Sequence, residues 1–151
     1  MYLAEAIKEK EFIEHSIDSL CDRINDLSMV TDETVVKLNI ELVKNKVKEL
    51  ENLYKELQKY TIIIGRVKSK SVIVLNDENF SIADADNILK TMGSKLEFLE
   101  ELLSSLKNNS FLPKLYICID INDVEEKIKR LREDVKIIDL SIEQSLWQIE
   151  V

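Results

Sequence analysis

Apolar residues recur along most of this chain at alternating steps of three and four. The clearest run is Ile82, Ala85, Leu89, Met92, Leu96, Leu99, Leu103 and Leu106. A period near 3.5 marks a long helix that packs lengthwise against others. Ser81 stands just ahead of the run, with Asp84 three residues on. A serine hydroxyl there can accept from a free backbone N–H, and a carboxylate suits the positive end of a helix. The pattern predicts a helix over about Phe80 to Leu106.

The same spacing predicts three more helices. The first covers about Tyr2 to Ser28, with Leu3, Ala6, Ile13, Ile17, Leu20, Ile24 and Leu27 on one stripe. Lys10 interrupts this stripe; its stem can cover apolar surface while the amine reaches water. Met29 to Asp32 is a short break, and Thr31 or Asp32 can cap the next helix. So short a connection makes its two helices antiparallel neighbours. The second helix covers about Glu33 to Tyr60, with Val36, Ile40, Val43, Val47, Leu50, Tyr54 and Leu57 on its seam. A second stripe, Val35, Leu38 and Leu42, lies roughly opposite, as in a helix held between neighbours. The last helix starts near Asp120 or Asn122 and carries Ile121, Val124, Ile128, Leu131, Val135, Ile138, Ile142 and Ile149. Ile137, Leu140 and Trp147 form a second stripe toward its end.

Two stretches have a different character. Ile62-Ile63-Ile64-Gly65 and Ser71-Val72-Ile73-Val74-Leu75 are β-branched, and Asn76-Asp77-Glu78-Asn79 is turn chemistry. They predict one or two short strands, with Ile62 to Ile64 equally able to close the second helix. Lys107 to Pro113 reads as a helix stop, and Leu115 to Ile119 as another short strand. The expected fold is mainly α. Four long antiparallel helices form a bundle or coiled-coil-like domain spanning 1–151. A short β-hairpin or strands lie between helices 2 and 3 and before helix 4.

Composition sharpens this picture. Only 2 glycines and 1 proline occur in 151 residues, so turns needing positive φ are few. The net charge of −8 disfavours nucleic acid as a partner. Cys21 and Cys118 lack metal-ligand spacing and read as free thiols of a reducing compartment. No uncharged run approaches the ~20 residues a bilayer span needs, and the N-terminus lacks an apolar signal core. The expected location is the cytoplasm.

Three short motifs carry a resemblance: Leu3-Ala4-Glu5-Ala6 at the start, Phe80-Ser81-Ile82-Ala83-Asp84-Ala85 in the middle, and Asp139-Leu140, Ile142, Gln144 and Trp147 at the end. In order and spacing they resemble the septicolysin-like family of small helical bacterial proteins. The resemblance implies a mainly helical, oligomeric protein without an assigned reaction. Two places depart from the family pattern. Tyr60-Thr61-Ile62-Ile63-Ile64-Gly65 stands where an Asn-rich stretch is usual, and Leu146 stands where an Asn precedes the Trp.

Candidate chemistry is sparse. The single histidine, His15, has Glu11 four residues before it, and both point away from the seam. A di-iron bundle needs Glu-x-x-His pairs on two helices. Glu97, Glu100 and Glu101, or Glu125 and Glu126, are the carboxylates that a Mg²⁺-dependent nucleotide pyrophosphatase would have to use. They lie on or beside outer arcs near lysines, the usual place of solubility charges. Cys21 and His15 face different sides, and Ser104 and Ser105 have no base nearby. No catalytic, cofactor or metal residue is therefore assigned. Surface-seeking helices are usually basic, whereas these outer faces are acidic, which disfavours a membrane role.

The residues left over point to interaction. Val35, Leu38, Leu42, Ile137, Leu140 and Trp147 exceed what a simple four-helix seam needs, and Trp147 is a natural interface anchor. The leading expectation is a homo-oligomeric scaffold or protein-interaction module without catalytic activity, binding itself or another protein. The alternative is a divalent-metal-dependent hydrolase, and a third reading is a cytolysin-like membrane-active protein.

Overall fold

The computed structural model describes residues 1–109, 112 and 115–151. In order they form α1 (Leu3–Ser28), a 3-10 turn (Glu33–Val35), α2 (Val36–Lys70), β1 (Val72–Leu75), β2 (Glu78–Ser81), α3 (Ile82–Asn109) and α4 (Ile121–Leu146). Contacts group these into two compact units, Met1–Val67 with Trp147–Val151, and Lys68–Leu146.

In the first unit α1 and α2 run antiparallel. The Asn39 amide donates to the Leu27 carbonyl at 3.0 Å, giving an orphan acceptor in the last turn of α1 a partner. Farther along, Phe12 and Ile13 of α1 share a cleft with Leu53 and Tyr60 of α2. Asp32 caps the 3-10 turn, accepting from the Thr34 N–H at 2.9 Å and from its hydroxyl at 2.7 Å. Both bonds favour the charged form, the hydroxyl bond more strongly, and hold the Asp32 carboxyl below its ordinary range. The chain ends are tied together: Leu3 N–H donates to Ile149 at 2.7 Å and Val151 N–H to Met1 at 2.9 Å. Leu3, Ala6, Ile13, Ile17 and Leu20 are buried, as their spacing predicts. Lys10 is half-buried and pairs with Glu14 at 2.9 Å.

The second unit is built on a β-hairpin and a helical hairpin. β1 and β2 pair antiparallel, with Leu75 opposite Glu78. Asn76 and Asp77 between them both have positive φ, 50° and 65°. That is the type I′ geometry whose twist suits a two-residue hairpin, and Asn and Asp tolerate it best after Gly. β2 runs directly into α3, where the Ser81 hydroxyl accepts from the Asp84 N–H at 3.0 Å and donates to its carboxylate at 2.7 Å. The Ile82 N–H donates to Ser71 at 3.0 Å, fixing the hairpin base to the helix start. Asp120 opens α4 by accepting from the Asn122 N–H at 2.9 Å. α3 and α4 lie antiparallel, registered by Lys107 to Glu125 at 2.7 Å and by Arg132 to Glu100. Ile73, Leu75, Ile82, Ala85, Val124, Ile128, Ile138 and Ile142 are buried in this unit.

Three expectations are corrected. α2 does not stop near Tyr60 but continues to Lys70. Leu57, Tyr60, Ile64 and Val67 keep the helical period, and buried Ile64 anchors the extension. Burial on a helical face outweighs the strand preference of a β-branched run. Gly65 sits inside this helix without positive φ.

Leu115 to Ile119 form no strand. They lie against Leu102 and Leu106 near the end of α3, while the hairpin joins its beginning. Some 20 residues of helix, about 30 Å, separate them from a sheet edge. Leu112 and the last turn of α3 fit the predicted helix stop, whose Ser110, Phe111 and Pro113 lie outside the described residues.

The seam of α2 is also only partly buried. Leu50 and Leu57 turn inward, but Val36, Ile40, Val47 and Tyr54 remain exposed.

Candidate interaction surface

Three of these, Val36, Ile40 and Val47, border a wide concavity of the first unit. α1 ends at Ser28, and the chain turns back through Met29 to Val35 into α2. The reversal leaves an open groove of about 970 Å³ lined by Leu27, Met29, Val36, Ile40, Val43 and Val47. Its rim carries Lys44, Lys48 and Glu51. Ile40 is 53% exposed and Met29 81%. An open apolar trough of this kind typically marks a place where another surface sits.

The sequence-predicted interface residues fall into separate places. Leu38 is 63% exposed and Leu42 is exposed, with Val35 half-buried beside them. They occupy the side of α2 away from the groove residues, so the first turns of this helix present apolar side chains on two sides. Ile137, 61% exposed, lines a smaller cleft of about 400 Å³ with Leu75, Phe80 and Met92 in the second unit. Leu140 is exposed on the same helix.

Trp147 does not continue that stripe. α4 ends at Leu146, and Trp147 belongs to the first unit, where Lys8 lies 4.7 Å from its ring centroid. Part of its face is thus used within the chain by a cation–π contact. Periodicity places Leu27, Val36, Ile40, Val43 and Val47 in seams and Met29 in a turn, and carries no signal of their openness.

Three of the five carboxylates considered for metal binding are engaged otherwise. Glu100 pairs with Arg132, Glu125 with Lys107 and Glu126 with Arg130. Glu97 and Glu101 are exposed on α3. Among the described residues no three His, Cys, Asp or Glu side chains converge on a common point. Cys21 is half-buried and Cys118 exposed, both as free thiols. Among the described residues, no helix is long and apolar enough to cross a membrane.

Charge is divided unevenly among the elements. α2 holds nine Lys or Arg against four Glu, a net of +5. With the whole chain at −8, everything outside α2 sums to −13. The total alone hides this separation.

No family model matches the sequence, and no curated protein does. The fold is similar to the crystal structure of a functionally unknown conserved protein from Corynebacterium diphtheriae, with a TM-score of 0.82 and 18% identity. The match covers 100% of this chain and 98% of that one. At this identity the likeness speaks for the fold.

Proposed function

We propose that this protein is a homo-oligomeric helical scaffold or interaction module that works without catalytic chemistry. The observation that carries the reading is the first half of α2, which exposes Leu38 and Leu42 on one side and Val36, Ile40 and Val47 on another. A helix with apolar residues on both sides gains stability when both are covered. The wide open groove beside it supplies the room. The engagement of Glu100, Glu125 and Glu126 with basic side chains supports a non-catalytic role, since these are three of the five acids a metal-dependent hydrolase would have to use. The resemblance of three short motifs to the septicolysin-like family points the same way, toward a helical, oligomeric bacterial protein, and the two free thiols fit a cytoplasmic setting.

The test is a charge placed in the groove. Ile40→Glu should lower the mass measured by light scattering while the far-UV helical spectrum stays unchanged. An unaltered assembly would remove the groove from the interface. Adding Mg²⁺ or Mn²⁺ separates the hydrolase alternative, because a bound cation raises the melting temperature and a scaffold is indifferent to it.

A further inference from the structure

The basic residues of α2 are not scattered. Lys37, Lys44, Lys48, Lys55, Lys59 and Arg66 succeed one another at steps of seven and four. That is an eleven-residue repeat, about 3.67 residues per turn, so the row runs almost straight along a helix. All six are exposed. The row is about 44 Å long at 1.5 Å per residue. Lys44 has Glu41 at 4.0 Å; the other five have no ion-pair partner among the described residues.

α1 carries the opposite pattern. It holds seven acidic residues against three basic ones. Glu11, Asp18 and Asp22 repeat the same steps of seven and four, and Asp26 comes one turn later. These four are exposed and without an ion-pair partner among the described residues. Both rows lie opposite the buried faces of their helices, in the same compact unit.

We propose that a second copy of this chain lays the acidic row of its α1 along the basic row of α2. The inference rests on the homo-oligomer reading and names the surfaces that meet. Charge decides between the possible pairings. Two α2 helices brought face to face would set lysine on lysine, and two α1 helices acid on acid; only α1 on α2 joins opposite signs at matching pitch. Such a contact is made twice about a two-fold axis in a dimer, or once per pair with copies adding head to tail into a ring or filament. The groove with its Lys44 and Lys48 rim borders the basic row, so the same approach brings apolar surface under cover.

The test uses two charge-reversed full-length variants, Lys44→Glu/Lys48→Glu and Asp18→Lys/Asp22→Lys, with mass read by sedimentation. Each variant alone should associate at least about tenfold more weakly than the wild-type protein, because each then presents like charges to itself. An equimolar mixture should regain the assembly, since each supplies the row that the other lacks. Raising salt severalfold should weaken wild-type association, as screening requires. Circular dichroism checks that both variants keep their helices. Variants that assemble like wild type would overturn this pairing and leave the oligomer reading intact, whereas a monomeric wild type would end both. If the lysine variant keeps its assembly but loses binding of a labelled single-stranded oligonucleotide or of phosphatidylserine vesicles that wild type retains, the basic row serves a polyanion and the proposal falls.

Discussion

Replacing Ile82 by Ala distinguishes core from exposed apolar surface in one comparison. Ile82 has no exposed surface, and the substitution removes three carbons. At about 0.8 kcal/mol per methylene the transfer loss is about 2.4 kcal/mol. The site cannot easily collapse, because the Ile82 N–H is held by Ser71 at 3.0 Å where the hairpin meets α3. A residual cavity raises the loss to about 3–4 kcal/mol. For a chain of this length that lowers the melting temperature by about 10 °C. Ile40→Ala removes the same atoms from a side chain that is 53% exposed, so its loss in the monomer is about 1 kcal/mol. The assay is calorimetry of both variants at a low concentration and at one about a hundredfold higher. Ile82→Ala should lose the same amount at both. Ile40→Ala should lose more at the higher concentration, where assembly covers it. Equal losses for the two variants at low concentration would contradict the core assignment. A concentration-independent Ile40 effect would contradict the covered groove.

Three further outcomes are expected. Ser81→Ala removes the acceptor for the Asp84 N–H, and should cost about 1 kcal/mol in urea unfolding, with an unchanged midpoint counting against the cap. Thr34→Val removes the hydroxyl that donates to Asp32, so the Asp32 carboxyl should titrate at higher pH by NMR, though still held by the Thr34 N–H. Because the folded pKa is the lower one, the stabilisation is present above the ordinary carboxylate range and is lost as pH falls through the folded value. An unshifted titration would show that the hydroxyl does not bond the acid. Lys68→Met leaves Asp86 without its 2.6 Å partner, and with the pair 23% and 33% exposed the loss should be about 1–2 kcal/mol. Lys68→Met/Asp86→Leu should recover part of it, and a double variant no better than the single one would deny the coupling.

Much of the fold is legible in the sequence because local chemistry and global packing agree there. Ser81, Asp32 and Asp120 each cap the helix or turn that their position predicts. Asn76 and Asp77 make the turn that their side chains favour. Where the sequence misleads, two signals compete. Ile62 to Ile64 read equally as a strand by β-branching or as a closing helical turn; Ile64 lies on the buried face of α2, and the helix runs on to Lys70. Leu115 to Ile119 have strand composition but no edge within reach. The interaction surface is the least legible part. Periodicity says that Val36, Ile40 and Val47 share a face with Leu50 and Leu57, but not that the chain reversal at Met29 leaves that end uncovered. Net charge is similarly blunt: −8 conceals a helix at +5, which only a count by element reveals.

Sedimentation of the wild-type chain across a wide concentration range, at low salt, bears most directly on the central claim that the apolar and charged faces of α2 exist to be covered by another copy. The mass should rise with concentration from 17.6 kDa toward a multiple of it. A single species at the monomer mass throughout, with full helical content, would contradict the account.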